Sequence, residues 1–130
     1  MIRCPASSPC GSCPYRQDVP SGVWAEEEYD KLPDYDRPTY EQPFGVFMCH
    51  RQDGRICAGW AGCHDMMESL ALRLAAGTMS EEDVDATLGY ESPVPLFETG
   101  AAAAEHGKAE IEHPSEQAVK LVDKLHQQRA

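Results

Sequence analysis

Prolines at positions 5, 9, 14 and 20 punctuate the first twenty residues. A ring that locks φ and removes a backbone donor keeps such a stretch out of regular helix. The same stretch carries Cys4, Cys10 and Cys13, half of the six cysteines in the chain. A segment that builds little hydrogen-bonded structure and brings few large apolar side chains needs another tie to the rest of the molecule. Small cores are often reinforced by metals or disulfides. The chain as a whole fits that need: 130 residues, ten prolines, ten glycines and an aromatic content of 8% point to one domain, loop-rich, with a modest core.

The expected compartment decides how the cysteines are read. No apolar run approaches the roughly 18 residues of a membrane span, and the N-terminus lacks the apolar stretch of a secretion signal. The expectation is a cytoplasmic protein, where thiols are kept reduced and a high cysteine count favours metal binding or thiol chemistry over a disulfide framework.

Cys10-x2-Cys13 is the first candidate pair. A thioredoxin-like use requires a strand before it and a helix directly after it. Only nine residues precede Cys10, and Pro14 to Pro20 does not read as helix. As a metal motif the pair turns two thiolates toward one centre and needs two more ligands. The segment "CHRQDGRICAGWAGCH" offers Cys49, Cys57, Cys63, His50 and His64. Apolar and β-prone residues flank Asp53-Gly54, which predicts a small β-hairpin. A two-residue loop opposes His50 to Cys57. A three-residue loop with Gly54 left-handed opposes Cys49 to Cys57, with Cβ atoms about 5 Å apart on one face. The second register is preferred, because thiolates suit a cysteine-rich site better than a neutral imidazole. Cys63, six residues past Cys57, lies about 9 Å further along a helix and is read as a small buried hydrophobe. His64 is read as a histidine near the site or partly exposed, and Cys4 as a free thiol. The predicted ligands are therefore Cys10, Cys13, Cys49 and Cys57.

Two identities remain for the metal. Structural zinc sites usually use two short Cys-x2–4-Cys knuckles, whereas Cys49 and Cys57 are separated by seven residues. Iron–sulfur clusters take one thiolate per iron and tolerate wider spacing, and the "CP" at Cys13-Pro14 is familiar there. The expectation leans to a [4Fe–4S] iron–sulfur cluster, with a zinc ion as the alternative.

The fold class expected is mainly α with one small β-hairpin, a metal-stabilised, loop-rich half over residues 1–64 and an acidic helical half over 65–130. Ser21 is expected to cap a helix through "GVWAEEEYDKL" that ends at Pro33. Trp60, Cys63/His64, Met67, Leu70/Ala71 and Leu74 recur at helical spacing, with Gly77 as a stop. "SEED" at 80–83 reads as a capping box. "YESPVPLFETGAAAAEHGKAE" reads as loop plus weak helix. Ser115 opens an amphipathic helix bearing Ala118, Leu121, Val122 and Leu125 on one face. That face is expected to pack on Met67, Leu70 and Leu74 or, alternatively, to dock a partner.

Charge narrows the partners. Residues 1–64 carry six basic and nine acidic side chains, net −3, and residues 65–130 carry five and 13, net −8. No clustered Lys/Arg run exists to neutralise phosphates, so direct nucleic-acid binding is not expected. No Ser/His/Asp set, phosphate loop or His-Glu-x-x-His motif points to catalysis.

"PCGSCPYRQDVPSGVWAEEEYDKLPDYD" and "FMCHRQDGRICAGW", in that order, resemble an uncharacterised family of small cysteine-rich proteins of actinobacteria and their phages. The resemblance covers roughly residues 9–65 and implies Cys10, Cys13, Cys49 and Cys57 as the family's cysteine positions. "SGVWA" gives a looser similarity to WhiB-like iron–sulfur regulators, though the cysteine spacing differs and the basic tail is missing. Three functions follow as expectations. The first is a non-enzymatic metal- or cluster-binding regulatory or interaction module with a protein partner, host or transcription machinery. The second is a zinc-stabilised structural domain, and the third a thiol oxidoreductase using Cys10 and Cys13.

Overall fold

The computed structural model describes residues 1–129. It is mainly helical, with α1 Glu26–Asp30, α2 Ala58–Cys63, α3 Leu70–Ala75, α4 Glu81–Leu88, α5 Gly100–Lys108 and α6 Glu116–Arg129 joined by loops and short 3-10 turns. The expected β-hairpin does not form: among the described residues there is no strand, only isolated bridges at Arg3–Arg55, Arg16–Leu96 and Met48–Ile56. The Met48–Ile56 bridge opposes Cys49 to Arg55 and Phe47 to Cys57, with Cys49 N–H on Arg55 O at 2.9 Å and Cys57 N–H on Phe47 O at 2.9 Å. Neither expected register is present. Gly54 does sit at φ +79°, the third residue of a turn closed by Arg55 N–H on Gln52 O at 3.3 Å. Pairing stops after one bridge because His50 is drawn off the ladder, stacking on Trp24 at 4.5 Å and bonding Glu28 Oε2 at 2.9 Å.

Helix α1 is shorter than expected. Three glutamates fill its first turn, where carboxylates oppose the helix dipole, and the 3-10 turn Leu32–Asp36 with Pro33 follows directly. Ser21 is not its cap. The Ser21 hydroxyl donates to Gly107 O at 2.9 Å and accepts from Glu110 N–H at 2.8 Å, tying the N-terminal half to the end of α5.

The helical run expected from Trp60 to Leu74 is split. After α2 ends at Cys63, Asp65 Oδ1 accepts from Met67 N–H at 3.0 Å and opens the 3-10 turn Met66–Glu68, and Ser69 Oγ accepts from Leu72 N–H at 3.2 Å and opens α3. Met67 and Leu74, counted on the apolar stripe, are consequently 61% and 57% exposed. Ser80 caps α4 as "SEED" suggests, accepting from Asp83 N–H at 3.1 Å.

The stretch read as weak helix becomes the central packing element. Thr99 Oγ1 accepts from Ala102 N–H at 3.0 Å, and the Asp36 carboxylate accepts from Gly100 N–H at 2.7 Å and Ala101 N–H at 2.8 Å. The orphan donors of the first turn are thereby met. Gly100 lies on the Leu32 carbonyl and Gly107 on the Tyr29 ring, leaving no room for a Cβ. The main core gathers Tyr15, Tyr29, Leu32, Ile56, Trp60 and Leu72 around these contacts, together with Cys13 and Cys57. A second cluster joins Ala118 and Leu125 of α6 to Val19 and Val23, with Trp24, Leu121 and Val122 at its edge. The α6 stripe is thus buried at home, against the N-terminal loop and not on the Met67/Leu70/Leu74 face. No helix of the described residues is long and apolar enough to cross a membrane.

Candidate metal centre

Two loops build the site. The Cys10–Cys13 loop closes on itself through Cys13 N–H to Cys10 O at 3.0 Å, and Arg16 Nη1–H to Pro9 O at 3.0 Å braces it. Trp24 Nε1–H donates to Ser12 O at 2.7 Å, and Ser12 is fully buried. The second loop runs from Phe47 through the Gly54 turn to Cys57, which is the residue before α2. Cys57 accepts no helix-capping bond on its side chain, so its sulfur is free to face inward.

Cys10, Cys13, Cys49 and Cys57 line one small cavity of about 10 Å³, the room of a single water-sized sphere. They form two pairs. Cys13 Sγ and Cys57 Sγ are 3.8 Å apart and buried, at 1% and 4% exposure. Cys10 and Cys49 are half-buried and share a thiol hydrogen bond. Among the described residues no group of three or more His, Cys, Asp or Glu side chains already stands as a metal-binding set. The half-buried pair has to close on the buried one to enclose an ion.

Within each pair the electrostatics make one thiol more acidic than the other. The bond from Cys57 pulls the Cys13 thiol below its ordinary range, and the same bond followed by burial pushes Cys57 well above it. The bond from Cys10 lowers Cys49 to about 5, against the cost of burial, while Cys10 is driven up. Backbone amides also approach three of the sulfurs: Ser12 at Cys10, Tyr15 and Gly59 at Cys13, and Arg51 and Gln52 at Cys49. Amide donors aimed at sulfur favour the thiolate, the form that ligates metal. The Arg51 amide reaches Cys49 Sγ at 3.5 Å. Four sulfurs around one cavity are a donor set that fits a thiophilic ion.

The remaining candidates lie elsewhere. Cys4 is held at Asp83 and Arg55, its amide donating to Asp83 Oδ1 at 3.3 Å and its carbonyl accepting from Arg55 Nη1 at 3.1 Å. Cys63 borders a different cavity, and burial followed by the charge of Asp36 pushes its thiol to about 12. His64 joins neither pair. Its ring stands between Tyr15 Oη, 3.5 Å from Nε2, and Asp36 Oδ1, 3.7 Å from Nδ1. His50 touches the thiol cavity but spends Nε2 on Glu28. Sequence reasoning missed Ser12, Trp24 and Gly59, which hold the site in shape. A Cβ at Gly59 would overlap Cys13 Sγ and come within 2.8 Å of Tyr15 Cβ.

Neither a curated protein nor a solved structure matches the chain. A family of unknown function, DUF6283, matches residues 5–129, a span that takes in both loops of the cavity and all six helices up to the end of α6, and the chain is a member of that family.

Proposed function

We propose that this chain is a non-enzymatic metal-binding domain in which Cys10, Cys13, Cys49 and Cys57 hold one ion as a four-thiolate centre, and that the ion is zinc. One observation carries the reading: four cysteine sulfurs line a single cavity, with the buried pair 3.8 Å apart. Two thiolates on a tetrahedral ion at a bond length of about 2.3 Å are separated by about 3.8 Å, so the buried pair already spans one edge of a zinc site. A cluster that puts each thiolate on a different iron needs sulfurs spread further and more room than this cavity has. When bound, the ion ties the 10–13 loop to the 49–57 loop and so joins the proline-punctuated N-terminus to the core. A basic protein surface is the partner class that a net charge of −11 suits.

The iron–sulfur reading keeps one support, the half-buried Cys10 and Cys49, whose loops have room to spread outward. The oxidoreductase reading loses ground. Cys10 has its thiol pushed up and partnered with Cys49, while Cys13 is buried against Cys57.

Metal analysis of protein purified anaerobically tests the proposal. The expected result is one colourless zinc per chain, lost in each of Cys10→Ser, Cys13→Ser, Cys49→Ser and Cys57→Ser and kept in Cys4→Ser and Cys63→Ser. Broad visible absorbance with iron and sulfide would establish the cluster instead. Absence of any metal at full occupancy of folded protein would sink both.

A further inference from the structure

The thiols of the candidate centre meet across the two loops and not within either one. Cys13 Sγ and Cys57 Sγ are in contact at 3.8 Å, though 44 positions apart in the chain. A disulfide bond is about 2.05 Å long, so bonding asks these sulfurs to approach by less than about 2 Å. Cys10 Sγ faces Ser12 Oγ at 3.7 Å and shares its thiol hydrogen bond with Cys49. The turn from Cys10 to Cys13 is closed through its backbone, Cys13 N–H on Cys10 O at 3.0 Å, and its two sulfurs leave it toward different partners. Four cysteines allow three disulfide connectivities. This arrangement selects one of them.

Exposure sets an order between the pairs. Cys13 and Cys57 are 1% and 4% exposed, whereas Cys10 and Cys49 are half-buried. Thiol oxidation follows access and thiolate character. The Arg51 amide, 3.5 Å from Cys49 Sγ, supports a thiolate in the accessible pair.

We propose that hydrogen peroxide discharges this centre in two steps, joining first Cys10 to Cys49 and then Cys13 to Cys57. The inference rests on the four-thiolate reading above. The Cys49 sulfur attacks one peroxide oxygen, the O–O bond breaks and hydroxide leaves. The Cys10 sulfur then displaces the hydroxyl of the Cys49 sulfenic acid as a second hydroxide, and the S–S bond forms. The two sulfurs together give up two electrons, the peroxide takes them, and both hydroxides gain protons from solvent to become water. With Cys10 and Cys49 joined, only Cys13 and Cys57 remain as ligands, and the metal is released. A second peroxide closes the buried pair by the same two steps. Both bonds tie the 10–13 loop to the 49–57 loop, as the ion does, so the oxidised, metal-free chain stays folded.

The test uses the full chain carrying Cys4→Ser and Cys63→Ser, loaded with zinc and titrated with hydrogen peroxide. A chromogenic chelator reads released zinc, and mass spectrometry after alkylation and unreduced tryptic digestion reads the bonds. Cleavage after Arg16, Arg51 and Arg55 leaves Cys10 and Cys13 on one peptide and Cys49 and Cys57 on two others. Fragmentation between Cys10 and Cys13 assigns each link. The expected result is a Cys10–Cys49 link rising together with free zinc, a Cys13–Cys57 link following it, and an oxidised chain that resists urea better than the reduced, metal-free one. A Cys10–Cys13 or Cys49–Cys57 bond, the buried pair closing first, zinc retained once Cys10 is joined to Cys49, or an oxidised chain no more resistant than the reduced one would each overturn the proposal. Zinc content before peroxide is added reports on the four-thiolate reading alone. The order and pairing of the bonds are read equally on chain reduced and stripped of metal, so the two failures are told apart.

Discussion

Single residues carry the site through contacts a few atoms wide. Gly59 shows this most sharply, because α2 passes the thiols at a distance that only hydrogen permits. Gly59→Ala should destabilise the fold by about 1–3 kcal/mol through overpacking and lower metal retention, whereas Gly77→Ala, with nothing near its Cβ, should do neither. Urea unfolding and metal content of the two variants check this. His64 supplies a pH effect with a definite sign. Burial lowers its pKa from the ordinary 6.5, with Asp36 pulling the other way. The unfolded chain then binds a proton at His64 that the folded chain refuses, so stability is complete above pH 6.5 and falls as the pH drops through the lowered value. His64 should titrate below 6.5 by NMR, and Asp36→Asn should lower it further by removing the opposing charge. A midpoint above 6.5 would contradict the burial seen here.

At the scale of elements, α6 is the one whose role the fold reassigns. Its stripe covers Val19 and Val23 and abuts Trp24, and Trp24 holds Ser12 between Cys10 and Cys13. Leu125→Ala should therefore cost about 2 kcal/mol, the low end for a buried leucine at a cluster edge, and should also speed metal loss to a chelator. Removal of residues 114–130 should weaken metal retention without touching a ligand. Retention equal to that of the full chain would show that the helix does not support the loop. The segment 47–57 was legible in part. Gly54 and its turn follow from the Asp-Gly pair, but the register does not, because His50 leaves the ladder for Trp24 and Glu28, residues more than twenty positions away. Loop length alone cannot weigh that contact. The split between α2 and α3 was readable from Asp65 and Ser69, both ordinary N-cap residues, but the apolar period concealed them.

For the whole molecule, charge is the quantity that acts at a distance. Twenty-two acidic against eleven basic side chains leave a net −11, and self-repulsion of that size works against the compact state. Raising sodium chloride from a few millimolar to about 0.15 M, where the Debye length is about 8 Å, should raise the unfolding midpoint. A midpoint that stays level would mean that the acidic groups are locally compensated, beyond the surface ion pairs seen here. Those pairs, such as Lys108–Asp30 at 2.7 Å and Lys120–Glu116 at 3.4 Å, are exposed and contribute little each.

The sequence by itself determined that the first twenty residues would be irregular, that Ser80 and the Ser115 region would start helices, and that α6 would own an apolar stripe. These are short-range properties, set by proline rings, cap hydroxyls and a 3.6-residue period. Only the tertiary structure decided which thiol meets which. Cys57 turns to Cys13, 44 positions away, and Cys49 to Cys10, so the pairing runs between loops and not across a hairpin. It likewise decided that an alanine-rich stretch with two glycines would be the core's central helix, since the benefit of Gly100 and Gly107 exists only once Leu32 and Tyr29 lie against them. A glycine read alone is a helix breaker; pressed against another backbone or ring, it is the residue that lets two elements touch.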